Sequence, residues 1–96
     1  MTFEWDARKA ASNLKKHRVA FEEAATVFTD PLALTFQDPD HSPIERREIT
    51  IGHTMNQRLV FVSHCEREAR IRIISARFAT RSEQRQYEEG IGENAP

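Results

Sequence analysis

Arg70-Ile71-Arg72-Ile73-Ile74-Ser75-Ala76-Arg77-Phe78-Ala79-Thr80-Arg81-Ser82-Glu83 is the stretch that sets the architecture. Up to Phe78 its β-branched and aromatic residues predict a strand. Thr80 and Glu83 then form a Thr-x-x-Glu capping box, which opens a helix that runs to Gly90, a residue suited to a helix C-terminus. A strand therefore feeds straight into a short helix. The same region is basic: Arg67, Arg70, Arg72, Arg77, Arg81 and Arg85 fall within nineteen residues of a chain whose net charge is -1. Planar guanidinium forks suit phosphate, since each can hold two phosphate oxygens at once, and nucleic acid is the leading candidate partner. The alternative is an ordinary solvated face in which these arginines pair with the fifteen acids.

Working outward, residues 47–53 and 58–65 predict two further strands before the one at 70–78. The turns around Met55-Asn56-Gln57 and Glu66-Arg67-Glu68-Ala69 are short, which makes the three strands antiparallel. Leu32, Leu34 and Phe36 alternate as in a half-buried strand, and the polar residues 37–43 read as an exposed loop. Upstream, Phe3-Glu4-Trp5 is a short strand. Asp6 can cap a helix whose Ala7, Ala10, Ala11 and Leu14 share one face, and Phe21, Ala24, Ala25 and Phe28 repeat that spacing before Thr29-Asp30-Pro31 ends it. The order is strand, helix, helix, four strands, helix. This predicts an α+β fold, a small antiparallel sheet of about five strands with two N-terminal helices and one C-terminal helix. Residues 1–90 are expected to form one domain, and 91–96 a frayed tail.

Composition narrows the function. Near-zero net charge argues against a general electrostatic coat on nucleic acid, so any such binding must be local. No apolar run approaches the roughly 18 residues of a membrane span and no leader is visible, so the protein is expected to be cytoplasmic, with no membrane partner. The lone Cys65 lies in an apolar run and reads as a buried reduced thiol. Asp38, Asp40 and His41 crowd one loop without a spaced second set of ligands, so no metal site is expected. A Gly-rich phosphate loop, a Ser-His-Asp arrangement and paired cysteines are all missing, which removes nucleotide hydrolysis and ordinary acyl transfer.

The C-terminal helix is unusual. Arg81-Ser82-Glu83-Gln84-Arg85-Gln86-Tyr87-Glu88-Glu89 has no normal apolar stripe, so core burial cannot be its chief support. Arg81 at its start and Glu88 and Glu89 at its end oppose the backbone dipole, at roughly 0.3–1 kcal/mol each. A phosphate at the N-terminus would reverse that liability, because Arg81 and the free N–H groups would face the same anion.

Several motifs together carry a family resemblance: Phe3-Glu4-Trp5-Asp6; Asn13-Leu14-Lys15-Lys16-His17 followed by Val19 and Phe21-Glu22-Glu23-Ala24; Asp30-Pro31; and Ile73-Ile74-Ser75-Ala76-Arg77 with Ala79, Thr80, Glu83 and Tyr87. Over residues 3–89 the chain resembles the BrnT toxins. The resemblance implies a metal-independent ribonuclease that needs no cofactor, with a fold like that of the RelE toxins. It also implies neutralisation by a BrnA-type antitoxin, a DNA-binding ribbon-helix-helix protein, in a heterotetramer with two toxin copies. One departure stands out: the family usually reads His-Gly-Val-Ser where this chain has His17-Arg18-Val19-Ala20. A helix-stopping glycine and a capping serine are missing, each a loss on the order of 1 kcal/mol.

Cleaving RNA without metal requires a base for the ribose 2′-OH, fixed cations for the phosphorane, and an acid for the departing 5′-oxygen. Arg77 and Arg81 flank the strand-to-helix junction and are expected to stabilise the charge. Arg70, Arg72 and Arg85 are assigned to neighbouring RNA phosphates. His17 can serve as acid or base at neutral pH, with Lys16 as a second cation beside it, although Lys15-Lys16-His17 also complements the C-terminal end of the first helix. Tyr87, one turn beyond Glu83, could stack on a base or assist proton transfer. Glu83 is explained by capping, and His53 and His64 read as sheet histidines.

Overall fold

Antiparallel pairing begins where the turns are shortest. The computed structural model describes residues 1–39 and 46–90. Its elements are β1 (Phe3–Glu4), α1 (Ala7–His17), α2 (Phe21–Ala24) tightening into a 3₁₀ turn over Ala25–Thr29, β2 (Leu34–Gln37), β3 (Arg47–His53), β4 (Leu59–Arg67), β5 (Arg70–Phe78) and α3 (Arg81–Glu89). Most of the expected 37–43 loop, with Asp40 and His41, and the expected tail at 91–96 lie outside the described residues.

The sheet order is β1-β5-β4-β3-β2. From β2 to β5 every pairing is antiparallel, as the short turns require. β1 is different. It lies parallel to β5, with Phe3 opposite Ile71 and Glu4 opposite Arg72, so the sheet is mixed rather than wholly antiparallel. No tight turn ties β1 to its neighbour; it returns through the helices to the one edge that β4 leaves open on β5, where Thr2 O accepts the Ile71 N–H at 2.8 Å. Leu32 falls outside the strand expected for it and is exposed, because Asp30 Oδ1 accepts its N–H in a turn that delays β2 to Leu34. The second helix shortens for a related reason: the Thr26 and Thr29 hydroxyls bond back to the carbonyls three residues earlier, competing with α-helical pairing.

α1, α2 and the 3₁₀ turn cover one face of the sheet. Val19, Phe21, Ala24 and Val27 bury against Val60 and Val62 of β4 and Ile73 and Ala76 of β5, flanked by Phe3, Trp5 and Phe28. The small-residue face of α1 contributes little to this core, and Asn13 does its work instead. Its buried amide donates to Val19 O (2.9 Å) and Ala76 O (2.8 Å) and accepts the Ala76 N–H (3.1 Å). Asn13 thus pairs the edge of β5 beyond the reach of the two-residue β1, and the three bonds are together worth roughly 2–4 kcal/mol. The α1–α2 turn has the anticipated strain. Arg18 adopts a left-handed φ of 63° where glycine is preferred, and Ala20 caps α2 without a side-chain bond.

Two groups on this layer set the acid sensitivity. His64, buried against Phe28 and bonded through Nε2 to Thr50 Oγ1 at 2.8 Å, has its pKa pushed down to about 4 by burial. Glu23 is held at about 2, chiefly by Arg58, whose Nε donates at 2.8 Å. Both folded values lie below the unfolded ones, so the unfolded chain binds more protons in each window and stability falls as the pH is lowered. The His64 contribution is complete above about pH 6.5 and lost toward 4; that of Glu23 is complete above about 4.5 and lost toward 2. Urea midpoints should therefore decline from pH 7 to 4, and His64→Gln should flatten that interval; a flat wild-type profile there would contradict a neutral buried imidazole.

Candidate active site

The other sheet face is covered in part by α3, and polar contacts hold it there. Thr80 and Glu83 form the capping box, and Gly90 takes the left-handed position at the end, both as the sequence predicts. Glu83 and Tyr87, one turn apart, face the sheet, while Arg81 and Arg85 point the opposite way into solvent. No α3 residue is fully buried. Two anchors take the place of an apolar stripe.

The first anchor is Arg77 with Glu83. Register pairs Arg77 with Phe61, and its guanidinium lies 3.9 Å from the Phe61 ring centroid. Nη1 and Nη2 donate to the two Glu83 oxygens at 2.8 and 2.9 Å, and Nη1 also donates to Phe78 O at 3.1 Å. Burial works to raise the Glu83 pKa, but Arg77 and the Thr80 N–H outweigh it and keep the carboxylate ionised. Of the five guanidinium donors, three are then used. Nε–H and the outer Nη2–H remain, and they point the same way. A guanidinium edge of that kind can hold two oxygens of one phosphate.

The second anchor joins residues far apart in sequence. Tyr87 donates its hydroxyl to Asp30 Oδ2 at 2.7 Å, and His53 Nδ1 lies 3.1 Å from the same hydroxyl oxygen. Because the Tyr87 proton is committed to Asp30, the His53 contact requires a proton on Nδ1, which leaves Nε2 as the open lone pair. Asp30 also accepts the His53 N–H at 2.8 Å. Burial works against its charge, yet the His53 and Leu32 N–H groups and Tyr87 hold its carboxyl below the ordinary value. Gly52 makes this approach possible: a Cβ there would stand 3.0 Å from Ala33 Cβ and 3.3 Å from Asp30 Oδ2. Tyr87 is pushed up to about 12 by burial and by Asp30, so it stays protonated. His53 opens into a depression of about 250 Å³ lined by Asp30, Thr54 and Gln57.

This geometry can be set beside known proteins. Residues 5–83 match the family model described as the ribonuclease toxin BrnT of type II toxin–antitoxin systems. The chain belongs to the BrnT family. The 1.1 Å crystal structure of the Brucella abortus ribonuclease toxin BrnT shares the fold at a TM-score of 0.62 and 20% identity, covering 84% of this chain and 99% of that one. No curated protein matches. Membership of the BrnT family brings an antitoxin partner with it, since these are toxins of two-component systems.

Among the residues singled out from sequence, the structure gathers most at one end of the sheet. There β3 and β5 finish, β4 and α3 begin, and α1 ends. Arg77, Arg81, Arg85 and Tyr87 lie on the α3 side; exposed Lys16 and half-buried His17 lie at that end on the α1 side and share no hydrogen bond or ring contact with them. Arg70 and Arg72 are elsewhere: both approach Glu4, at 3.6 and 3.1 Å, at the opposite end. His53 and Asp30, which stand beside Tyr87 here, were not among the site residues expected from sequence. The available signal was position, a histidine at the last residue of a strand and an Asp-Pro directly after a helix. The Asp38, Asp40 and His41 group lies mostly outside the described residues; among those described, no group of three or more His, Cys, Asp or Glu side chains is placed to hold a metal ion.

Proposed function

We propose that this BrnT-family protein cleaves RNA without metal, by attack of the ribose 2′-OH on the adjacent phosphate, at the sheet end where β5 passes into α3. The observation that carries the reading is the Arg77 fork, held rigid by Glu83, Phe61 and Phe78 O with two parallel donors open. Arg77 grips the scissile phosphate, and Arg81, exposed at the helix N-terminus, adds a second cation from the solvent side as charge builds on the phosphorane. His53 takes the 2′-OH proton through Nε2, oriented by Tyr87 and Asp30 as histidine bases are oriented elsewhere by a carboxylate. His17, with Lys16 beside it, supplies the proton to the leaving 5′-oxygen, and Arg85 meets a neighbouring phosphate.

Cleavage in the cytoplasm would block translation and growth, and a BrnA-like ribbon-helix-helix antitoxin would neutralise it in a heterotetramer with two toxin copies. The competing reading is that Arg77–Glu83 and Tyr87–Asp30 only fasten α3 in a non-catalytic binding module. Purified protein in excess chelator should cut an oligoribonucleotide and spare its deoxyribose counterpart. Equal cutting of both strands would remove 2′-OH attack, and no cutting of either would favour the binding module.

A further inference from the structure

At the end of the sheet remote from Arg77, the start of β3, the end of β4 and the start of β5 enclose a depression of about 730 Å³. Five cations line it: Lys9 from α1, Arg46 and Arg47 at the entry to β3, Arg67 from β4 and Arg72 from β5. Among the described residues, two acids, Glu48 and Glu66, share the lining, in a chain that is net negative. The register explains the concentration. Arg47 and Arg72 stand on either side of Cys65, in rows that pair Arg47 with Cys65 and Cys65 with Arg72, so all three side chains share one face. Arg67, two residues beyond Cys65, returns to that face. Glu4 braces Arg72 from outside at 3.1 Å, while Arg46 and Arg67 are exposed.

The chemistry of the lining selects the ligand. Among the described residues its apolar members are Cys65 and Ile74, and none of the large exposed apolar residues (Met1, Leu14, Leu32, Met55, Phe78) lines it. A protein segment docking here would find no apolar anchor, the usual centre of a protein interface. A phosphodiester backbone needs spaced cations and tolerates water. We propose that this depression binds the backbone phosphates of single-stranded RNA that flank the cut. The proposal rests on the ribonuclease reading and extends it, since Lys9, Arg46, Arg47 and Arg67 lie outside the site assigned above. Arg72 and Arg77 are five residues apart along β5, roughly 16 Å, so one strand of RNA running along that edge meets both places a few nucleotides apart.

Fluorescence anisotropy with a labelled 2′-O-methyl oligonucleotide, which binds but offers no 2′-OH, tests the proposal. The double variant Arg46→Glu/Arg67→Glu should bind at least tenfold more weakly than wild type, with an unchanged melting temperature. Its slope of log affinity against log salt should be shallower by about 1.4, the loss of two phosphate contacts on a single strand. Equal affinity and slope in the two proteins would overturn the proposal, as would retained RNA affinity with lost antitoxin binding, which would make the depression a protein site. Wild-type protein assayed alongside on the matching oligoribonucleotide separates the two claims: cutting by wild type with unaltered binding by the variant sinks only the depression, whereas wild type that neither binds nor cuts sinks both.

Discussion

Arg77→Ala should lower the RNA cleavage rate by roughly 10²- to 10³-fold, the usual effect of removing one donor aimed at transition-state charge. The same substitution also frees Glu83 and uncovers Phe61, so a loss of activity alone would not separate chemistry from the fastening of α3. Glu83→Ala makes the separation. It breaks the same ion pair and leaves the guanidinium in place, so it should loosen α3 comparably while retaining far more activity than Arg77→Ala. Steady-state cleavage read against the urea midpoint of each variant checks this. Equal losses of activity in the two variants would assign Arg77 to anchoring only.

His53→Ala should reduce cleavage by roughly 10²- to 10⁴-fold, the range for a positioned general base. Its side chain is 41% exposed, so little stability should be lost. Tyr87→Phe offers a graded version. It removes the hydroxyl that links Nδ1 to Asp30, frees the ring to rotate or change tautomer, and should lower the rate about tenfold by misplacing a base that is still present. His17→Ala is the comparison, because an acid for the leaving group is sensitive to the leaving group and a base is not. A better leaving group at the 5′-oxygen should rescue His17→Ala and leave His53→Ala slow. Rescue of both, or of neither, would reverse or erase the assigned roles.

The fold was legible wherever one short segment carried its own instruction. The capping box at Thr80 and Glu83, the glycine at 90, the Asp6 cap and the tight turns each act within a few residues, and each is in place. Where the outcome depended on a distant partner, local pattern was insufficient. β1 lies on the edge of β5 that β4 does not occupy and runs parallel to it, an arrangement set by the path of the chain through the intervening elements rather than by local pattern. The strand expected from Leu32 was displaced by a single Asp30 side chain, whose main engagement lies across the sheet with His53 and Tyr87.

The candidate site divides in the same way. Arg77 and Arg81 drew notice by flanking a strand-to-helix junction, and the want of an apolar stripe on α3 signalled that core burial is not its chief support, as the structure shows. Beside the Arg77–Glu83 pair, the second anchor joins residues 30, 53 and 87, spacings to which no periodicity points. His53 is a sheet histidine as expected, the last residue of β3, and only its distant partners Tyr87 and Asp30 set it apart. His64 is likewise a sheet histidine, on the helix-covered face and buried.

End-group analysis by mass spectrometry, on RNA cut by purified protein in excess chelator, bears on the proposed chemistry with the fewest intermediate assumptions. Attack by the substrate's own 2′-OH must leave a 2′,3′-cyclic phosphate on one fragment and a 5′-hydroxyl on the other, with no metal required. Those ends, formed at an undiminished rate in chelator, are the expected result. A 5′-phosphate with a 3′-hydroxyl, or activity that vanishes with the metal, would mean that an activated water is the nucleophile and that Arg77 and His53 do not carry the reaction.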